Sequence, residues 1–108
     1  MSELAGALRE RVAVERFVGV PDGAGGTSGD WVELANLWAA VGHEGFGPAA
    51  EGERVSRAPR YRVTIRQWSD VEVGDRLRWR GVALRVLSVA RDPRRPECVE
   101  MVTEETRA

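Results

Sequence analysis

The sharpest alternation of apolar and polar positions runs from Arg60 to Gly81, RYRVTIRQWSDVEVGDRLRWRG. Tyr61, Val63 and Ile65 alternate with Arg60, Arg62, Thr64 and Arg66, so a period-2 backbone turns apolar side chains to one face and arginines to the other. That predicts a half-buried strand. After a break at Ser69 and Asp70 and the turn residues Gly74 and Asp75, Leu77 and Trp79 alternate with Arg76, Arg78 and Arg80 in the same way. Each predicted strand therefore offers one face to a core and one arginine face to its surroundings.

The same reading extends along the chain. Leu8, Val12 and Val14 against Arg9, Arg11, Ala13 and Glu15 predict a first strand, ended by Phe17 and Val18, with Glu10 the exception on its apolar side. Residues 19–30, GVPDGAGGTSGD, predict a long flexible hairpin loop, because Gly, Pro, Asp and Ser favour turns and leave nothing to pack. Residues 31–41 change phase around Ala35 and Asn36, which predicts two short strands or one strand with a bulge, while on propensity alone 34–41 could be helical. Residues 42–59 lose strand character and predict a second flexible loop, in which 49–57 has the propensity for two turns of a weak helix. Gly81 then leads tightly into residues 82–90, apolar on both faces and the expected central strand. Residues 91–97 form a proline-broken turn, 98–103 a last strand, and 104–108 a polar tail. The sum is a mainly β fold in one domain, 1–108: a small antiparallel β-barrel or sandwich of about six strands, with long loops and one short weak helix.

Charge narrows the function classes. The chain has 16 basic residues, all arginine, against 17 acidic ones, for a net charge of −1, so any basic surface must be local. One cysteine, Cys98, and one histidine, His43, are too few for a disulfide framework or a Cys/His metal site, and no cofactor is expected. No apolar run approaches the ~18 residues that cross a bilayer, and the N-terminus lacks a signal-peptide core, so a soluble product of a reducing compartment without membrane contact is expected.

Catalytic motifs are missing as well. His43 and Glu44 are sequence neighbours that point apart on an extended chain, and no Ser or Cys stands in a nucleophile elbow. The glycine-rich segment 23–29 lacks the ending of a phosphate loop, and Cys98 reads as a small buried hydrophobe. Trp31, Trp38 and Trp79 read as core, and Trp68, beside a turn, as a subunit contact. The arginines Arg60, Arg62, Arg66, Arg76, Arg78 and Arg80 admit two readings. They form a solvated face with cross-strand Arg–Glu pairs, or a surface that meets phosphates or acidic loops of a partner.

The order of these features resembles a known family, the small head-tail joining proteins of tailed phages, also called head-closure or stopper proteins. Gly6, Leu8, Arg9, Arg11, Val12, Val14 and Arg16 match its opening, Asp22, Gly25, Gly26 and Trp31 its glycine loop, and Trp38, Ala39 and Val41 the segment LWAAV. Tyr61 to Arg66 and Arg76 to Val89 match its central strands, so the resemblance covers nearly the whole chain. It implies a small β-barrel with a short helix and a long loop, and a structural, non-enzymatic role in a phage, prophage or gene transfer agent. Made in the host cytoplasm, such a protein would sit at the head-tail junction as a homo-oligomeric ring, on the order of six or twelve copies. Its partners would be the portal or adaptor protein, the tail terminator or tail tube protein, and packaged double-stranded DNA by proximity. The six arginines are then candidates for the DNA channel or for subunit contacts. Glu44, Phe46, Glu51, Glu53, Arg54 and Trp68 are candidates for interface loops. The family often has a longer helical stretch after the WAxV segment, where this chain has HEGFGPAAEGERVSR. The alternative from a different class is a small oligonucleotide-binding β-barrel, reading single strands with its arginine faces.

Overall fold

The computed structural model describes residues 8–46, 58–66 and 70–106. They form six strands: β1 (Glu10–Pro21), β2 (Thr27–Phe46), β3 (Pro59–Arg66), β4 (Arg76–Trp79), β5 (Val82–Ala90) and β6 (Cys98–Thr106). All pair antiparallel and close into a barrel in the order β1-β2-β3-β6-β5-β4. No helix occurs among the described residues, and the helix expected over 49–57 lies outside them. Closure leaves no central strand, so β5, expected at a sheet centre, is one stave of six.

The period-2 alternation does what it predicts. Val12 and Val14 of β1, Val63 and Ile65 of β3, Leu77 of β4 and Leu84 of β5 are fully buried inside the ring. Leu77 and Leu84 face each other across the β4–β5 ladder, and burying each side chain contributes about 1.5–3 kcal/mol. Thr103 is buried among them with its hydroxyl donating to the Tyr61 carbonyl at 3.0 Å, so the polar atom costs little. Glu10, out of phase in the sequence, is not in the core. Its carboxylate accepts from Trp79 Nε1 and from Arg80.

Three bulges bend the staves. Leu34, Glu44 and Leu87 each stand unpaired between registered neighbours, and an extra residue on one strand raises the local twist that a closed sheet needs. Leu34 is the phase change seen near Ala35, so residues 31–41 are one bulged strand. The β4–β5 connection is a two-residue turn with Arg80 at φ 52° and Gly81 at φ 79°, both in the left-handed region that a type I′ hairpin requires.

The loop expected over 19–30 is largely strand, and the one expected over 42–59 begins as strand. Pairing of β1 with β4 stops at Glu15 and pairing of β2 with β3 starts only at Ala39. Beyond those points residues 16–21 and 27–32 pair with each other alone, as a two-stranded ribbon that leaves the barrel. The flexible loop expected over 19–30 shrinks to a tip at 22–26, because backbone ladder bonds need no side chains and glycine does not forbid them. Gly29, opposite Gly19, even requires it: a Cβ there would lie 2.1 Å from the Val18 carbonyl oxygen. At the tip the Asp22 carboxylate accepts from the Ala24 and Gly26 amides, which holds its pKa below the ordinary value. Likewise 42–46 extends β2, and 104–106, expected as tail, extends β6.

Candidate functional site

The barrel's outer wall is where the arginines stand, and its strand order decides which of them meet. β3 and β4 are not neighbours; β6 and β5 separate them on one side, β2 and β1 on the other. The two arginine rows predicted from alternation are thus on different sides of the ring and do not form one face. Strand order is invisible to alternation.

Instead the wall carries a belt of mixed charge. Registered partners run from Glu33 on β2 through Glu15, Arg76, Arg85 and Glu104 to Arg60 on β3. The next partner is Gly45, again on β2, so one circuit climbs from Glu33 to Gly45 along that strand. Within the belt Arg76 Nε donates to Glu15 at 2.7 Å and Arg60 Nε to Glu104 at 3.1 Å. The guanidinium of Arg76 also stacks on Trp31, 4.3 Å from the ring centroid.

The remaining candidates fall into two groups. Arg62 donates to both oxygens of Glu44 at 2.9 Å and to Glu100 at 3.2 Å, and Arg80 spans both oxygens of Glu10 at 3.0 Å. These bonds hold the carboxyl of Glu44 below its usual value and raise Arg62, and those from Trp79 and then Arg80 lower Glu10. Arg66 and Arg78 are exposed and have no ion-pair partner among the described residues. Phe46 ends β2 opposite Pro59. Glu51, Glu53, Arg54 and Trp68 lie outside the described residues.

Two further features were not read from the sequence. A surface groove of about 490 Å³ is lined by Arg9, Glu10, Ala40, His43, Glu44 and Arg62 among others, beside the start of β1. His43 stacks edge-on against Tyr61, and Tyr61 against Trp79, so these rings cluster at the end of the barrel where β2 ends and β3 begins. Leu8, Ala40 and Cys98 pack together outside the barrel wall, which buries the thiol as a small hydrophobe. Among the described residues no group of His, Cys, Asp and Glu is placed to hold a metal ion.

The second feature is the ribbon's base. Asp75, 3% exposed, accepts from Arg16 Nε and Nη2 at 2.9 Å each and from the Glu72 amide at 2.8 Å, and Arg16 also donates to the Asp70 carbonyl. The bond to Asp75 raises the Arg16 pKa. This pair ties the point where the ribbon departs to the loop before β4. Above it the expected core tryptophans are at the surface: Trp38 is 53% exposed beneath Arg11, and Trp31 packs edge-on with Phe17 on the ribbon's outer face. Strand phase, not hydrophobicity, sets their side. Of these three tryptophans, Trp79 alone packs against the core.

Comparison with known proteins fits this architecture. A chain in a virion of a native gene transfer agent particle superposes with a TM-score of 0.74 at 23% identity, covering 94% of this chain and 97% of that one. A protein of Shigella flexneri 2a, solved in solution, superposes with a TM-score of 0.68 at 18% identity, covering 93% and 94%. At these identities both likenesses concern the fold. No curated protein matches. The model of the phage head completion proteins, structural components of the virion head, matches residues 4–106, and the chain belongs to that family.

Proposed function

We propose that the chain is a non-enzymatic ring subunit that closes the head of a phage or phage-like particle below the portal or its adaptor, helps retain packaged DNA and docks the tail. The observation that carries this reading is the family match over residues 4–106, nearly the whole chain. The architecture supports it. A closed barrel with a filled core offers rigid walls, and a ribbon that leaves the barrel offers a means of reaching a neighbour. Arg66 and Arg78, without an ion-pair partner among the described residues, remain candidates for DNA or subunit contact; the paired ones, Arg60, Arg62, Arg76 and Arg80, are candidates to re-pair across a subunit boundary. Glu44 and Phe46, with Glu51, Glu53, Arg54 and Trp68, are proposed for the loops that meet adaptor or tail.

The oligonucleotide-binding alternative is weaker on one specific ground. It needs a contiguous basic groove, and four of the six arginines are engaged by carboxylates. Deleting the gene in its producing cell, with electron microscopy and nuclease protection of the particles, tests the proposal. Tailless heads that have lost their DNA, rescued by the intact gene, are expected; full, tailed particles would overturn it.

A further inference from the structure

We propose that the ribbon's valine face docks on the β4–β5 wall of a second copy of the chain, with Asp30 meeting Arg78 and Arg85. The inference rests on the ring reading and adds the two surfaces that would make the ring.

The donor surface follows from strand phase. The bulge at Leu34 lies on β2, so β1 keeps its alternation past the barrel, and Val18 and Val20 continue the side that Val12 and Val14 turn to the core. With Val32 they form an apolar face that is 51%, 56% and 44% exposed. Two strands alone in water are marginal, so such a face calls for cover. Asp30 sits directly opposite Val18 on that face, and its carboxylate has no cation within ion-pair distance among the described residues.

The acceptor surface is its complement in charge. On the outer wall Arg78 faces Ala83 across the β4–β5 ladder and Ala13 across the β1–β4 ladder, so small side chains flank it. Arg85 lies directly opposite Arg76, a like charge, while Arg76 is engaged by Glu15 and Glu104 by Arg60. Neither Arg78 nor Arg85 has an ion-pair partner among the described residues. An incoming carboxylate would relieve the repulsion.

The two surfaces cannot meet within one chain. The valine face points to the core side and the arginines to the outer side, and the Arg16–Asp75 pair fixes the ribbon's base. A contact between different patches of identical subunits is heterologous, and it closes into a ring where the rotation allows.

A charge swap in the producing cell tests this, with nuclease protection of packaged DNA as the readout. Asp30→Arg alone, and Arg78→Glu with Arg85→Glu, should each lower protected DNA by about tenfold or more, because like charges then face each other at every boundary. All three changes on one chain should restore it, since each boundary pairs one copy's ribbon with the next copy's wall. Glu33→Arg, on the ribbon's opposite face, should leave protection near normal. Failure of the triple variant to restore, or normal particles from either partial variant, would overturn the proposal. So would a defect confined to the arginine variant, which would assign those arginines to DNA or to a different protein. A variant that loses cooperative unfolding when purified is replaced by the neutral Asp30→Asn or Arg78→Gln and scored the same way. If deleting the gene itself leaves DNA retention intact, the ring reading fails instead, and the two failures are told apart.

Discussion

Replacing Asp75 by asparagine tests whether the ribbon is fixed by one buried ion pair. The carboxylate takes three hydrogen bonds, two from Arg16 at 2.9 Å and one from the Glu72 amide at 2.8 Å. Asparagine keeps one acceptor oxygen but turns an NH2 towards a guanidinium that is itself only a donor. The loss is therefore at least one charge-assisted bond, worth ~1.5–3 kcal/mol, plus the charge attraction. Removing one partner of a fully buried pair costs ~3–5 kcal/mol. Arg16 keeps 31% of its side chain exposed and can be partly rehydrated, which brings the expectation to about 2–3 kcal/mol. For a domain of this size that is a fall of roughly 10–15 °C in Tm by circular dichroism. Amide exchange should quicken over residues 16–21 and 27–32 before it does in the barrel. A double-mutant cycle with Arg16→Gln should recover at least ~1 kcal/mol of coupling. A Tm within about 2 °C of the parent, or a coupling near zero, would refute the reasoning.

Other predictions follow from neighbouring observations. Gly29→Ala forces a Cβ into the Val18 carbonyl and should abolish amide protection across the ribbon while the barrel still unfolds cooperatively, as exchange followed by NMR would report. Glu10 and Glu44 are held below their ordinary value of 4.5 in the folded chain, so their contribution is present above that pH and is lost as pH falls through the lowered values. Thermal unfolding should shift down on acidification below about pH 4.5, and less so in Glu44→Gln. Leu84→Ala opens a hole against Leu77 and should cost ~2–5 kcal/mol in urea unfolding. The free chain should bind a single-stranded oligonucleotide no tighter than roughly 10⁻⁴ M at physiological salt, measured by fluorescence anisotropy.

Local pattern made the barrel's staves legible and left their arrangement dark. Tyr61, Val63 and Ile65 marked β3 because a half-buried strand must alternate, and Leu77 marked β4 for the same reason. Nothing in either says that β3 lies beside β6, since pairing joins residues some forty positions apart. The ribbon was hidden by its own composition: Gly19, Gly25, Gly26 and Gly29 read as loop, yet close backbone approach at Gly29 is what lets the ladder continue. Trp31 and Trp38 misled because size and hydrophobicity suggest burial, whereas β2's register with Phe17 and Arg11 turns them outward. Glu10 was legible as an anomaly but not as the acceptor for Trp79 and Arg80, whose positions depend on the turn at Gly81.

β2 belongs to both ends of the molecule. Its first residues, 27–32, are one side of the ribbon, the next pair with β1 in the barrel as far as Ala39, and from Ala39 to Phe46 it pairs with β3. Ladder bonds lie across the strand axis, so a tug on the ribbon along that axis loads many of them at once instead of opening them one by one. The strand therefore acts as a tie rod. Tension applied at the ribbon passes along one continuous backbone to the opposite rim, without needing any side chain to move.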